Sequence, residues 1–285
     1  MKRILVTGVN GQLGSELKDL LKLDSEFEVI YLSRSELSLE NTENIQNILS
    51  DYHPELVIHA AAYTAVDNAE SDEIIADKVN HLASREIADF CRKTDCKLIA
   101  ISTDYVFDGD SCVALKEDAK VNPINIYGKT KLLGEKSIQA TLDDSIIIRT
   151  SWVYSSYGNN FVKTMIRLMS QKEEISVIND QIGSPTYAKD LAKAILKIIK
   201  SGKWISGIYH YSNAGEISWY DFAQEIKKIK GFGTKINAIP TKSYPTPAKR
   251  PKFSILDKSK IKENYSVEVP FWKNSLKEMI NLLNN

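Results

Sequence analysis

Apolar and polar positions alternate along about the first 200 residues in two different rhythms. Short apolar runs predict buried strands, and segments whose apolar residues recur every three or four positions predict amphipathic helices. Because strands that alternate with helices build a parallel sheet covered on both faces, the predicted fold class is α/β, a Rossmann-type doubly wound parallel sheet. The strands are expected at residues 4–7, 28–32, 56–59, 97–101, 145–149 and 175–178, and helices at 13–21, 41–49, 72–92 and 187–200.

A glycine turn follows the first strand and leads into the first helix. Gly8, Gly11 and Gly14 are spaced G-x-x-G-x-x-G. In that arrangement Gly8 permits the tight turn, Gly11 lets the backbone approach a pyrophosphate, and Gly14 lets the helix pack closely on the strand. The helix N-terminus would offer free N–H groups to the phosphates. A glycine-rich turn without a ligand is the alternative, but the position between strand and helix favours a dinucleotide site.

Domain organisation follows from where the alternation of strands and helices ends. Beyond Gly202 it fades, and the remaining segments predict a smaller, mixed α/β part. We predict a dinucleotide-binding domain of residues 1–150, joined by about residues 174–205. Residues 151–173 and 206–285 would form the C-terminal substrate-binding part.

The end of the second predicted strand bears on the choice of cofactor. An acidic residue there would hold the ribose 2′-hydroxyl of NAD, but this strand runs into Ser33 and Arg34. A hydroxyl and a guanidinium suit a 2′-phosphate, which favours NADPH. Arg34 could equally be a surface residue, and the nearby Glu36 keeps NADH possible.

Tyr127 and Lys131 stand four residues apart, so on a helix they share one face. A nearby ammonium favours the phenolate, and we therefore expect Lys131 to lower the pKa of Tyr127. Such a pair can move a proton to or from a substrate oxygen near neutral pH. A solvated helix face is the common alternative. Thr103, at the end of the fourth predicted strand, would hydrogen-bond a substrate carbonyl beside the nicotinamide, although a structural capping cluster is the alternative reading.

The amino-acid composition limits the kinds of partner and the cellular compartment that we expect. Lys+Arg and Asp+Glu are both 37, so a zero net charge gives no case for nucleic acid or an anionic membrane. No apolar stretch approaches the ~20 residues of a membrane span. The three cysteines, at an odd count and without Cys-x-x-Cys, suit a reducing compartment, so we expect a cytoplasmic protein. A Pro-rich loop at residues 243–251 carries Arg250, which would either clamp substrate phosphates or remain a surface charge.

The glycine turn, the Ser102-Thr103-Asp104 strand end and Tyr127-x-x-x-Lys131 together resemble the extended short-chain dehydrogenase/reductase family. Further segments resemble members of that family that act on dTDP-linked 4-keto-6-deoxysugars. They are residues 60–67, 102–109, 127–131, 149–154, 179–186 and 244–248, which together span nearly the whole chain. The resemblance implies reduction of the C4 ketone of dTDP-4-dehydro-L-rhamnose to dTDP-L-rhamnose.

The same resemblance assigns roles to individual residues. It implies that Tyr127 protonates the carbonyl oxygen, Thr103 hydrogen-bonds it, and Lys131 holds the nicotinamide ribose. The substrate would be contacted by Thr103, Asp104, Tyr105, Trp152 and Arg250. The cofactor would be contacted by Gly8, Asn10, Gly11, Gln12, Leu13, Gly14, Ser33, Arg34, Ser38, Leu39, Ala61, Ala62, Tyr63, Thr64, Tyr127 and Lys131.

Three positions depart from the family pattern. Ser38 before Leu39 stands roughly where the family has an aspartate at the cofactor rim, and His59 stands where it often has Asn. Phe253 replaces the Asn of an Arg-Pro-x-Asn-Ser pattern. Some members dimerise through a magnesium ion, but no acidic cluster here allows that ion to be assigned, so a homodimer is possible and a metal site is not predicted.

Related activities remain as alternatives. A nucleotide-sugar 4,6-dehydratase needs an acid after the aspartate of the strand end, where this chain has Tyr105. A reductase or an epimerase of another nucleotide-linked 4-keto-6-deoxysugar would use the same Tyr127 and Lys131, the epimerase with a tightly held NAD. A non-catalytic regulatory subunit, like the beta subunit of methionine adenosyltransferase, would share the fold and the motifs.

Overall fold

A computed structural model of the protein describes residues 2–22 and 24–283. Six parallel strands form its central sheet, in the spatial order β10-β5-β4-β3-β1-β2. The strands are Lys2–Thr7 (β1), Phe27–Leu32 (β2), Leu56–His59 (β3), Lys97–Thr103 (β4), Ser145–Thr150 (β5) and Gly207–His210 (β10).

Helices cover both faces of this sheet, which confirms the predicted fold class. On β1, Ile4 and Val6 point into one apolar layer and Leu5 into the other, as expected of a strand buried on both sides. One layer is closed by Gln12–Leu21 (α1), Ala188–Lys200 (α8) and Ser259–Tyr265 (α10). The other is closed by Ile45–Ser50 (α2), Ala83–Thr94 (α5) and Ile126–Thr141 (α6).

The remaining elements form a smaller part beside the sheet, again as predicted in kind. Its short strands pair two by two: β7 with β12, β8 with β11, and β6 with β9. A cluster of aromatic, methionine and aliphatic side chains fills its core. These strands are Val153–Tyr154 (β6), Glu174–Ile178 (β7), Ile182–Gly183 (β8), Thr186–Tyr187 (β9), Ile217–Ser218 (β11) and Lys235–Ile239 (β12). The helices of this part are Phe161–Gln171 (α7), Trp219–Lys230 (α9) and Trp272–Leu282 (α11).

Two predicted helices are interrupted. The segment expected as one helix at residues 41–49 begins with the 3₁₀ turn Thr42–Asn44 before α2. The segment expected as one helix at residues 72–92 follows the short Val66–Ala69 (α3) and consists of Glu73–Asp77 (α4), a π-helical turn at Lys78–Leu82, and α5. A π-helical turn widens the helix locally and is common at functional sites, and apolar spacing alone does not predict it.

Strand pairing cuts across the domain boundaries expected from sequence. β10, which lies beyond residue 206, pairs with β5 in the central sheet. β7, which lies in the segment expected to join the dinucleotide-binding domain, pairs instead with β12 outside that sheet. Both strands pair with partners distant in the chain, and hydrophobic patterning does not specify such pairing. Along the described residues, no helix combines the length and apolarity that crossing a membrane requires.

Candidate active site

A cavity of about 680 Å³ opens at the carboxyl ends of β1, β3, β4 and β5. Ligands of open parallel sheets bind at this edge, and the volume lies within the range of cofactor sites. Most of the predicted site residues line it: Gly8, Asn10, Gly11, Gln12, Leu13, Gly14, Ser33, Arg34, Leu39, Ala61, Ala62, Tyr63, Thr64, Thr103, Asp104, Tyr105, Tyr127, Lys131 and Trp152.

The glycine turn has the geometry that a pyrophosphate requires. Gly8 has a φ of +72°, and its carbonyl accepts a hydrogen bond of 2.9 Å from the N–H of Gly11. A Cβ at Gly14 would overlap the Gly8 carbonyl and lie 2.7 Å from the Cα of Val9. Gly11 caps α1 without any side-chain hydrogen bond, so the first N–H groups of the helix remain open toward the cavity. This cradle of backbone N–H groups fits the phosphates of a dinucleotide.

The rim beyond β2 contains one predicted cation and an acid that sequence reasoning missed. The side chain of Arg34 is 83% exposed and forms an ion pair with Glu40, which also lines the cavity. Glu36 accepts a hydrogen bond of 2.8 Å from the N–H of Ser33, and this bond lowers the pKa of Glu36. Ser38 is absent from the cavity wall, where Leu37 and Leu39 lie instead.

A buried network supports the segment of small residues after β3. Thr7 Oγ1 accepts from the N–H of Ala61 at 3.2 Å and lies 2.9 Å from His59 Nδ1. Burial lowers the pKa of His59 to about 3, so the ring is neutral and acts as a satisfied core histidine. Asn80, in the π-helical turn, accepts from the N–H of Tyr63 and donates to the carbonyl of the same residue. These bonds fix the backbone that faces the cofactor.

Thr103 and Tyr127 meet at the inner end of the cavity. Asn125 starts α6 by accepting a hydrogen bond of 2.8 Å from the N–H of Gly128, and Gly128 packs against the carbonyl of Tyr105. The Tyr127 hydroxyl is hydrogen-bonded to Thr103, whose own hydroxyl donates to Asp104 at 3.1 Å. The strand end and the helix therefore converge as the sequence predicted.

The expected effect of Lys131 on Tyr127 is wrong for this structure. Burial raises the pKa of Tyr127 to about 12, even though the hydrogen bond to Thr103 opposes the rise. Lys131 Nζ donates to the carbonyl of Ile101 at 2.7 Å, and burial lowers the pKa of Lys131 to about 8. Spacing on a helix placed both residues on one face, but it carried no information about how strongly each group loses its hydration.

The predicted substrate residues divide into those at the cavity and one beside it. Burial raises the pKa of Asp104 to about 6, and its Oδ2 has no hydrogen-bond partner among the described residues. Trp152 reaches the cavity from the turn after β5. Arg250 lies outside the cavity wall, where Asp67 holds it through bonds of 2.7 and 3.1 Å and Thr246 accepts from it at 2.6 Å. The loop thus approaches the site with its guanidinium already paired.

Several wall residues received no individual role from the sequence, although some of them lie within its motifs. Ser102, Thr150 and Ser151 lie at or just after strand ends, so the rule that placed Thr103 there could have found them. Gly158 and Asn159 come from a loop after β6 that folds over the glycine turn, and no local signal marks them. The other additions to the wall are Leu37, Glu40, Ala60, Val66, Val79, Ile101, Val153 and Leu191. Within residues 2–22 and 24–283, no group of three or more His, Cys, Asp or Glu side chains is arranged to hold a metal ion.

A doubly wound sheet with a cofactor-sized cavity, lined by a half-buried tyrosine beside a strand-end threonine, defines an oxidoreductase of the short-chain dehydrogenase/reductase class. Residues 1–285 match the model of one family within that class, and the chain belongs to the family described as RmlD substrate binding domain. This confirms the resemblance inferred from the motifs.

Relatives of known name agree along almost their whole length. The chain is 39% identical to the dTDP-4-dehydrorhamnose reductase of Aggregatibacter actinomycetemcomitans, with 98% of each chain covered. It is 40% identical to the spore coat polysaccharide biosynthesis protein SpsK of Bacillus subtilis strain 168, covering 98% of this chain and 97% of SpsK. A crystal structure of Bacillus anthracis dTDP-4-dehydrorhamnose reductase in complex with NADP superposes with a TM-score of 0.94 at 39% identity, covering 99% of this chain and 100% of that one.

Proposed function

We propose that the chain reduces the C4 ketone of dTDP-4-dehydro-L-rhamnose with NADPH, the last step in the synthesis of dTDP-L-rhamnose. The observation that carries the proposal is the convergence of Thr103 and Tyr127 at the inner end of the cavity that the glycine turn opens. The full-length similarity to reductases of that name supports the substrate.

Tyr127 is the proton donor. With a pKa of about 12 it keeps its proton throughout the neutral range, as an acid that must protonate a developing alkoxide requires. Thr103 already hydrogen-bonds Tyr127, so a ketone oxygen placed between the two hydroxyls would be held by both. Bound NADPH supplies the hydride.

Lys131 acts on the same oxygen indirectly. Its Nζ is anchored on the carbonyl of Ile101, one strand position from the hydroxyl of Ser102, which has no hydrogen-bond partner within residues 2–22 and 24–283. Because burial lowers the pKa of Lys131 to about 8, a hydroxyl-rich ligand in the cavity would stabilise its charged form by hydrogen bonding. A charged Lys131 would in turn favour the Tyr127 phenolate that remains after proton transfer.

The preference for NADPH over NADH stays a prediction. NADPH is supported by the rim residues Ser33 and Arg34 and by the NADP complex of the Bacillus anthracis relative, whereas the ion pair with Glu40 leaves NADH as the competing cofactor. The ratio of kcat/KM values for NADPH and NADH measures the preference directly. The homodimer and the cytoplasmic location likewise stay predictions, and size-exclusion chromatography with and without Mg²⁺ tests the homodimer and any role of magnesium in it.

The alternative chemistries find less support at the site. A dehydratase needs an additional acid beside Asp104, and that position holds Tyr105, whose pKa burial raises above its ordinary value. An elimination at neutral pH therefore lacks its proton carrier. The full-length similarity to named reductases also favours an enzyme over a regulatory subunit.

The test is Tyr127→Phe, which removes the hydroxyl and keeps the ring. We expect kcat to fall by about two to four decades, the range for loss of general acid catalysis, while NADPH affinity stays within about threefold. Tyr52→Phe, remote from the cavity, is the matched control. Turnover is followed by NADPH absorbance with dTDP-4-dehydro-L-rhamnose made in situ from dTDP-glucose. Wild-type turnover in Tyr127→Phe would remove the residue from its role.

A further inference from the structure

The backbone of Trp152 has a conformation that large side chains rarely adopt. Its φ is +47°, in the left-handed region that favours glycine, and the residue stands in the turn between β5 and β6. A bulky residue persists there only when its surroundings hold it, and such strain concentrates at ligand sites. Trp152 is also part of the cavity wall. The contacts that hold this side chain therefore bear on the site.

Two neighbours enclose the indole of Trp152 from opposite sides. The ring of Trp219, the first residue of α9, stacks on it with centroids 3.5 Å apart and planes 10° apart. A Cβ at Gly183 would lie 2.6, 2.7 and 2.9 Å from Cε2, Cζ2 and Nε1 of the same indole. Nearly equal distances to three adjacent ring atoms place that point over the ring. Since Trp219 covers one face, Gly183 lies over the other.

The two neighbours come from the smaller part of the molecule and stand outside the cavity wall. Gly183 ends β8, and β8 pairs with β11, which leads directly into Trp219. Phe161 packs on Trp219 at 4.6 Å and supports it from the aromatic core. Both sides of the Trp152 ring are thus held by one continuous unit, so what remains for a ligand is the edge of the indole, with its single N–H donor.

We infer that Trp219 and Gly183 are positioning residues that clamp Trp152, so that the edge of its indole, rather than its face, meets the sugar nucleotide. The inference rests on the proposed function for the identity of that ligand. It predicts that the clamp determines the KM for the sugar nucleotide and leaves the proton transfer at Tyr127 untouched, because displacement of a positioning group weakens binding without changing the reacting groups.

The test removes the clamp from each side. Trp219→Ala takes away the stacked ring, and Gly183→Ala pushes a methyl group into the opposite face. We expect each to raise the KM for dTDP-4-dehydro-L-rhamnose by about tenfold, with kcat and the KM for NADPH within about threefold of wild type. Trp219→Phe restores an aromatic stack and should bring the KM back to within about threefold.

A variant of Trp152 itself distinguishes edge from face. Trp152→Phe keeps an aromatic ring between Trp219 and Gly183 but lacks the N–H, so on our inference it raises the KM as much as Trp219→Ala does. If a face of the ring carried recognition, Trp152→Phe would instead keep a near-wild-type KM. Trp204→Phe, whose indole donates to the carbonyl of Asp144 far from this unit, is the matched tryptophan control.

Spectroscopy separates this inference from the proposed function. Two stacked indoles give a paired exciton signal in circular dichroism, which Trp219→Ala should abolish and Trp204→Phe should retain. Titration with dTDP by tryptophan fluorescence reports binding even if the wild-type protein fails to reduce the proposed ketone, and that failure would count against the substrate alone. The clamp would be overturned by a folded Trp219→Ala variant that has lost the exciton signal but keeps the wild-type KM for the sugar nucleotide. Where turnover is absent, a wild-type affinity for dTDP in that variant would have the same meaning. Should Trp219→Ala not fold, Gly183→Ala decides: a wild-type KM for the sugar nucleotide, or a wild-type dTDP affinity, in that folded variant would overturn the clamp.

Discussion

The two parts of this molecule build their side of the site by different means. The central sheet presents backbone groups: the glycine turn, the strand ends, and a helix that Asn125 caps. It also buries charge close to the chemistry, with Lys131 at 6% exposure and the Arg149–Glu135 ion pair at 3% and 2%. The smaller part contributes an aromatic side chain, Trp152, supported by further aromatic rings.

Because of that difference, we expect the sheet part to determine the geometry of the reacting groups and the smaller part to determine how tightly the sugar nucleotide binds. Backbone geometry and buried charge tolerate little change, because removing one partner of a buried ion pair leaves an uncompensated charge that costs about 3–5 kcal/mol. Aromatic packing adjusts more readily and sets how well a ligand is held. We therefore expect substitutions in the sheet part to change stability, cofactor binding and kcat, and those in the smaller part to change the KM for the sugar nucleotide.

The largest effect on stability is expected at Lys131. Its pKa falls from 10.5 to about 8 in the folded protein, so between those values the unfolded chain binds more protons and stability rises with pH. A shift of that size corresponds to about 3 kcal/mol, from ~1.4 kcal/mol per unit. Lys131→Met should remove this rise. The unfolding free energy of the variant minus that of the wild type therefore falls by about 3 kcal/mol between pH 8 and pH 10.5.

Lys129→Met is the matched control for that experiment. Lys129 lies on the same helix with its side chain 55% exposed and pairs with Glu73 at 3.0 Å. An exposed pair contributes little, so its pH profile should follow the wild type. Urea unfolding at several pH values measures both variants. If the stability of Lys131→Met depended on pH as that of the wild type does, burial of charge would not be a property that distinguishes the sheet part from the smaller part.

The next effect concerns the glycines. A Cβ at Gly14 would collide with backbone atoms of Gly8 and Val9, whereas a Cβ at Gly233, in the smaller part, would meet no atom within 4 Å. Gly14→Ala should cost about 1–3 kcal/mol of stability by overpacking. It should also weaken NADPH binding at least tenfold, because the helix can no longer sit against the turn.

Gly233→Ala should change stability by less than about 0.5 kcal/mol, as surface substitutions do. Cofactor binding is followed by NADPH fluorescence and stability by urea unfolding. Unchanged NADPH affinity in Gly14→Ala would contradict the close-packed cradle and with it the contrast between the two parts.

Sequence reasoning succeeded where local rules decide the structure. Glycine spacing, strand ends and the i, i+4 pair identified Gly14, Thr103 and Lys131, since each depends only on neighbours in the chain. It failed where distant segments meet. For Arg250 the sequence left a phosphate clamp and a surface charge as equal alternatives, and it did not reveal that Asp67, 183 positions away, holds the guanidinium beside the cavity. The raised pKa of Tyr127 depends on burial, which spacing does not reveal.

The same limit hid the partners of Trp152. A stack between residues 152 and 219 requires β8 to pair with β11 and α9 to start where β11 ends. Short strands of two residues carry almost no periodic signal. The sequence therefore predicted that the smaller part mixes short strands and helices, but it did not predict how those strands pair. This part supplies Trp152, the predicted substrate residue.

The smallest effects compare two helix caps, one in each part. Asn125 accepts from the N–H of Gly128 and donates to the carbonyl of Lys249 at 2.7 Å, while Ser218 forms a capping box with Asp221 at the start of α9. Substitution of either cap by Ala should cost about 1 kcal/mol in urea unfolding. Asn125→Ala should lower kcat several-fold, because α6 carries Tyr127 in its first turn, and Ser218→Ala should raise the sugar-nucleotide KM, because Trp219 follows it directly. Asn125→Ser, which keeps a capping oxygen and removes the amide that donates to Lys249, isolates the cap. If both Ala variants changed the same kinetic constant, the inference that the two parts control different kinetic constants would be wrong.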